Sequence, residues 1–271
     1  MDLEQLAEKA RVIQKEIVES TTAAGSGHPS SSLSAVQLLV GLYFGGVLRY
    51  DAKRPDWPDR DRFILSKGHA SPILYAILAE AGYFSRDLLP TLRKLGSPLE
   101  GHPNKRRLAG VEASTGSLGQ GLSIGLGHAL AARVDRRSYR VYVLLGDGEC
   151  DEGQVWEAAM GAHHHRVDNL TAIVDNNRMQ QSGRVEDVMN HMPLADKFRA
   201  FGWKTLEIDG HDQAAVMKAY GEASAGQGQP TAIVAHTIKG KGISFMEPDF
   251  TWHGRAMSKE QAAEALKELG W

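Results

Sequence analysis

The 271-residue sequence contains a single cysteine, Cys150, so no internal disulfide can form, and a small secreted scaffold held by staples is excluded. It has no excess of charge of one sign, since 31 Lys and Arg stand against 33 Asp and Glu. No overall basic field therefore exists to hold a polyanion, and neither nucleic acid nor an anionic membrane surface is an expected partner. No stretch approaches the roughly 18 apolar residues that span a bilayer. The first segment, MDLEQLAEKARVIQKEIVES, is amphipathic and lacks the apolar centre of a secretory signal, so the expected compartment is the cytoplasm. Internal repeats of 20 to 50 residues and Pro/Ser-rich linkers are also missing. Residues 1–271 are accordingly expected to form one domain, long enough to bury a substantial core.

What the sequence does have is a repeated alternation of short apolar runs, glycine-bearing loops and helical patterns. The spacing of Leu3, Leu6, Ala10, Ile13 and Ile17 predicts a helix from Leu3 to Thr21, and a second helix is expected from Leu33 to about Phe44. Val141–Leu145, Leu170–Val174 and Thr231–Ala235 are continuously or almost continuously apolar. That pattern fits parallel strands covered on both faces, and hence an α/β fold: three layers, α/β/α, around a mostly parallel sheet. In such sheets ligands gather beyond the carboxyl ends of the strands, where the loops FILSKGHAS, LLGDGECDEG, VDNNRMQQSG and TIKGKG fall.

Gly146-Asp147-Gly148 follows the strand VYVLL directly and precedes a helix expected to begin near Gly153. Glycines allow a sharp turn and a close ligand approach, and a helix start offers free N–H groups to an anion. Twenty-seven residues separate Gly148 from Asn176, where another strand ends in Asp175-Asn176-Asn177. Were the two strands neighbours, the Asp147 carboxylate and an Asn amide oxygen would face one another. Hard oxygen donors of this kind select Mg²⁺ or Ca²⁺ over Zn²⁺, and Mg²⁺ with few carboxylates completes its shell with phosphate oxygens and water. Asp-Gly and Asn-Asn alone are ordinary turn dipeptides; their position at two strand ends is what turns the reading toward a metal and a diphosphate.

With GDG and NN in place, the sequence resembles the thiamine-diphosphate enzymes, and among them transketolase. GSGHPSSSLS, LSKGHASPILYA, EGHP, STGSLGQGLSIGLGHALA, GDGECDEGQVWEA, VDNNRMQQSG and TIKGKGISFMEPDFTWHG are similar, in order, to the motifs of the amino-terminal, pyrophosphate-binding domain of that family, over residues 11 to 256. The resemblance implies the thiamine-diphosphate-binding fold, with thiamine diphosphate and Mg²⁺ as cofactors and Ca²⁺ or Mn²⁺ as substitute ions. It implies Asp147, Asn177 and the backbone carbonyl of Met179 as metal ligands. Gly148, His69 and His253, with Gly146 in the same turn, match positions that hold the diphosphate, and Gly116 and Leu118 match the loop lining the cofactor. His28, His102 and His253 correspond to histidines that meet sugar hydroxyls, with His69 in the same catalytic set. Glu152 matches a carboxylate in a subunit-interface network, whereas Cys150 matches no catalytic role. Lys239 and Lys241 resemble basic residues near the phosphates. Imidazole gives or takes a proton near neutral pH, which suits chemistry among hydroxyls, while the cofactor provides the carbanion.

The family binds its cofactor between two α/β domains, the second holding the pyrimidine ring. No pyrimidine-type segment follows Trp252-His253-Gly254. The expectation is therefore an amino-terminal subunit of a split transketolase, completed by a carboxyl-terminal subunit with the pyrimidine-binding domain as a heterotetramer, and acting on sugar phosphates. Other thiamine-diphosphate enzymes, such as a 2-oxoacid dehydrogenase α subunit or a deoxyxylulose phosphate synthase, are alternatives that the histidine set and the WHG segment oppose. A non-catalytic regulatory subunit of the same fold is a third. Two further readings are rejected. Consecutive helical residues point about 100° apart, so His163-His164-His165 cannot share a metal. The glycines from Gly116 to Gly127 lack the preceding strand and following acid of a dinucleotide fingerprint.

Overall fold

A computed structural model describes residues 1–226 and 228–271. The chain starts with α1 (Leu3–Ala24), capped by the Asp2 carboxylate, which accepts from the Gln5 amide while the Gln5 side chain returns a bond to Asp2. This reciprocal cap satisfies two otherwise orphaned donors. The helix outruns the expected Thr21 end and stops at Gly25, whose φ of 61° suits glycine. The single helix expected from Leu33 is two, α2 (Pro29–Leu33) and α3 (Val36–Phe44). The break at Ser34-Ala35 delivers the Ser34 hydroxyl to the Asp175 carboxylate, 2.5 Å away, a tertiary bond that local periodicity does not register.

The strands are β1 (Arg62–Leu65), β2 (Val141–Gly146), β3 (Leu170–Asn176), β4 (Lys204–Asp209) and β5 (Thr231–His236). They form one five-stranded sheet in the order β1-β2-β3-β5-β4, and every pairing is parallel. Gly146 lies opposite Asp175 in the β2–β3 register, which makes neighbours of the two strand ends carrying GDG and NN.

Helices cover both faces, as the apolar strands require. Alternate strand side chains feed two separate cores. Phe63, Leu65, Tyr142, Leu144, Ile173 and Ile233 pack with α1, α3, α4 (Ser71–Glu80) and α9 (Gln213–Ser224). Ile64, Val141, Val143, Leu145, Leu170, Ala172 and Val234 pack with α5 (Gln120–Val134), α6 (Gly153–His164) and α8 (Leu194–Ala200). The period-two alternation hidden in a continuous apolar run is thus read out as a three-layer sandwich. Strand β4 is only partly buried, at the sheet edge. Among the described residues no helix is long and apolar enough to cross a membrane.

The helix expected near Gly153 is α6, and a short 3-10 turn, Gly148–Asp151, fills the interval between GDG and its start. Neither Gly146 nor Gly148 has a positive φ. Gly148 is constrained by closeness instead, because a Cβ there would come within 2.9 Å of the Gln180 side chain.

Ile173 is fully buried at the centre of the sheet. Its replacement by Ala is expected to cost about 2–5 kcal/mol through lost transfer energy and a residual cavity, read as a lower denaturant midpoint at unchanged m-value. A midpoint equal to that of the parent would show that Ile173 is not in a close-packed core.

Candidate active site

The carboxyl ends of β1, β2, β3 and β5 surround a cavity of about 490 Å³. Its walls include His28, His69, His102, Gly116, Leu118, Gly146, Asp147, Gly148, Glu152, Asn177, Met179 and His253, each singled out in the sequence. They arrive on different loops, and the parallel sheet is what collects them.

The floor is an ion pair that no sequence motif marks. Lys67, just past β1, reaches across the ends of the strands to Asp175 on β3, and both are almost completely buried, at 2% and 0% of their side-chain surface. The Lys67 ammonium also donates to the Ser31 carbonyl at 2.8 Å. Asp175 accepts in addition from Ser34, Thr237 and the Asn177 amide. Burial alone would raise the Asp175 carboxyl, but Lys67 and these hydroxyls outweigh it and hold the group below its ordinary range. Since Asn177 Nδ2 donates to Asp175 at 3.1 Å, the Asn177 Oδ1 atom is turned away from the pair. A charged residue at each end of two otherwise apolar strands was the available signal.

Asp147 is the contrasting case. Its carboxylate accepts from the backbone amides of Gly148, at 2.7 Å, and Arg178. No side-chain cation pairs with it among the described residues, and burial, reinforced by nearby Asp175, pushes its pKa up to about 7. A buried carboxylate with unmet charge, beside an amide oxygen and the Met179 carbonyl, is a hard-oxygen set that suits Mg²⁺. Lys239, 1% exposed, directs its ammonium at His253 Nδ1 (2.7 Å) and lies 3.5 Å from the Met179 carbonyl oxygen. Burial, with Lys67 second, lowers Lys239 to about 8. Lys241 does not share the site: it pairs with Glu247 at 3.6 Å and lines another cleft. The backbone turns between the two lysines and sends them to opposite sides.

His28, His69 and His253 form a triangle, with ring centroids 5.0, 5.1 and 5.1 Å apart. Burial is the main reason all three resist protonation, lowering His28 to about 4 and His253 to about 3 and holding His69 lower still. Arg93, Lys239 and Lys67 add repulsion. His102, more exposed, is lowered in the same direction by burial and Arg93. These rings are neutral at pH 7, each a donor at one nitrogen and an acceptor at the other. Because an ammonium cannot accept, the Lys239 contact makes His253 Nδ1 the acceptor and leaves the proton on Nε2. Gly116, at φ 145°, lets the loop pass close to His102, whose ring lies 2.9 Å from where a Cβ would be.

Glu152 is exposed at the rim, against Gly119. The buried carboxylate nearby is Glu149, which the motif reading missed; it accepts from the Gly119 and Gly146 amides at 2.9 and 3.0 Å and from Ser66. Cys150 is buried, and burial followed by Glu149 and Asp147 raises its thiol far above the usual range, so it is an inert neighbour. His163, His164 and His165 are exposed, with His163 Nδ1 3.1 Å from the Gly202 carbonyl oxygen.

The family model for the transketolase thiamine diphosphate binding domain matches residues 3–271. The 6-deoxy-6-sulfo-D-fructose transketolase subunit SqwG of a Clostridium species is 44% identical over 264 residues, covering 97% of this chain and 96% of that protein. An apulose-4-phosphate transketolase subunit of Phocaeicola vulgatus is 40% identical, covering 99% of this chain and 95% of that protein. Human transketolase is 44% identical over 269 residues, of which this chain spans 42%. The crystal structure of Campylobacter jejuni transketolase superposes with a TM-score of 0.94 at 32% identity, over all of this chain and 43% of that one.

A histidine whose folded pKa is depressed stabilises the fold above its unfolded value, and that stability is lost as pH falls. For His28 the window runs from its ordinary 6.5 down to about 4. Unfolding free energy should therefore decline as pH drops through this range, less steeply in His28→Asn. An NMR titration should place the His28 imidazole near pH 4; a midpoint at 6.5 would show that the ring is solvated.

Proposed function

Because the chain belongs to the transketolase family, through its thiamine diphosphate binding domain, we propose that it is the amino-terminal component of a two-component transketolase, with residues 1–271 acting as one binding unit. The observation that carries this reading is the convergence of Asp147, Asn177, the Met179 carbonyl and the histidine triangle on one cavity at the sheet's carboxyl edge. Relatives spanned almost from end to end are named as subunits, which supports a complementary chain carrying the pyrimidine-binding half, in a heterotetramer with two copies of each.

Bound in the cavity, thiamine diphosphate would supply the nucleophilic thiazolium carbon that carries a two-carbon ketol unit from a ketose phosphate to an aldose acceptor. Asp147, Asn177 and the Met179 carbonyl would hold Mg²⁺, or Ca²⁺ or Mn²⁺ in its place. The Asp147 charge, matched by no side-chain cation among the described residues, is the group such an ion would neutralise. His253 Nε2–H and His69 would donate to diphosphate oxygens, beside the Gly146–Gly148 turn, and Lys239 would keep His253 in the required tautomer. His28 and His102, neutral at pH 7, would each offer one N–H donor and one acceptor nitrogen to the sugar hydroxyls whose protons are exchanged. Gly116 and Leu118 would line the cofactor, and Glu152 at the open rim would face the complementary subunit. Cys150, reduced and buried, suits a cytoplasmic enzyme.

The Asp147→Ala variant should lose Mg²⁺-dependent cofactor binding by more than about tenfold, since a charged ligand is removed outright; titration calorimetry checks this, and unchanged binding overturns the metal assignment. Ketol transfer should require the complementary chain. Equal rates from this chain alone and from the reconstituted pair would dismiss the two-component reading.

A further inference from the structure

The segment following β3 doubles back across the turn that carries Asp147. Arg178 adopts a left-handed backbone, φ 61°, and its amide donates to Asp147. An isolated antiparallel bridge joins Met179 to Arg184, and Gln180 N donates to the Gly183 carbonyl at 2.8 Å. The chain then runs through α7 (Val185–Val188) to His191, which is 5% exposed. Both ends of this strap are tied to one carboxylate. Gln180 Nε2 donates to Asp151 Oδ2 at 2.8 Å, and His191 Nδ1 lies 2.5 Å from Asp151 Oδ1.

Asp151 ends the 3-10 turn that starts at Gly148 and itself faces the cavity. A carboxylate only accepts, so His191 Nδ1 carries the proton of that bond, while its buried Nε2 has no hydrogen-bond partner among the described residues. Each carboxylate oxygen is committed to one end of the strap. An Asn at 151 keeps only one acceptor oxygen, so it holds both ends only if His191 moves its proton to Nε2 or the Gln180 amide flips.

We propose that Asp151 and His191 are positioning residues: the Asp151 carboxylate closes the strap from Gln180 to His191 and so fixes the Met179 carbonyl and the Gln180 side chain against the Asp147–Gly148 turn. This rests on the reading that Asp147, Asn177 and Met179 take a divalent cation. A backbone carbonyl on an untied loop must be ordered when the ion binds, and that cost falls on affinity; a tied loop has met it during folding. Gln180 lies over Gly148 closely enough to forbid a Cβ there, which explains the second glycine of GDG by the strap rather than by the turn.

The experiment compares the parent chain with Asp151→Ala, His191→Ala and the double variant, with Asp151→Asn as the near-isosteric alternative should truncation impair folding. Two readouts are taken: tryptic cleavage after Arg184 in the absence of cofactor, and the Mg²⁺ dependence of thiamine diphosphate binding by calorimetry. Each single variant should be cleaved severalfold faster and need about tenfold more Mg²⁺, and the double variant should be no worse than either, because the pair acts as one tie. Asp151→Glu, which keeps two acceptor oxygens, should recover part of both. Cleavage and Mg²⁺ dependence equal to those of the parent overturn the proposal, as does strict additivity of the two substitutions. If the parent, reconstituted with the complementary chain, fails to bind cofactor with Mg²⁺, the functional reading falls, and cleavage after Arg184 alone decides whether the strap is tied.

Discussion

The site depends on a lysine and an aspartate that meet where water cannot reach them. Lys67 and Asp175 come from the ends of β1 and β3, two strands separated by β2. Removing both charges from water is costly, and such a pair contributes little net stability compared with apolar residues of similar volume. What it contributes is position. Through Ser31, Ser34, Thr237 and Asn177 it ties the loops after α1, β1, β3 and β5 to one point, and its geometry turns the Asn177 carbonyl oxygen toward the Met179 amide, from which it accepts at 3.1 Å. Breaking one partner would leave a bare buried charge, so the constraint is stringent.

Around that floor the protein sorts its buried charges into matched and unmatched. Asp175 has Lys67, and Glu149 is held by two backbone amides and a serine. Among the described residues Asp147 has two backbone amides, with Asp175 close by to disfavour ionisation further. A cavity with such an anion and several neutral imidazoles has the chemistry that the proposed cation and a polar, multiply charged ligand would require. The same burial that leaves Asp147 wanting a counter-ion keeps the histidines deprotonated at pH 7. One physical cause, low local dielectric at the carboxyl edge of a covered parallel sheet, thus sets both halves of the chemistry.

The tie between Asp151, Gln180 and His191 extends this logic outward. The turn bearing Asp147 and the segment bearing Met179 are far apart in sequence and are brought together by β2–β3 pairing. Pairing alone sets the strand ends; it does not set the loop beyond them. A carboxylate with one oxygen for each end of the strap does that with ordinary hydrogen bonds.

Much of this was legible in the sequence because it is local. The apolar runs at Val141–Leu145, Leu170–Val174 and Thr231–Ala235 determined strands covered on both faces, and GDG and NN at strand ends determined which loops line the cavity, since backbone freedom and side-chain type are properties of a few consecutive residues. The Leu33 helix boundary, the destinations of Lys239 and Lys241, the partners of Lys67, Glu149 and Asp151, and the neutrality of His28, His69 and His253 were decided only by the tertiary structure. Each depends on what the fold sets against a side chain from a distant part of the chain, and on how much water it removes. Neither burial nor a long-range counter-charge is written in the residues next door.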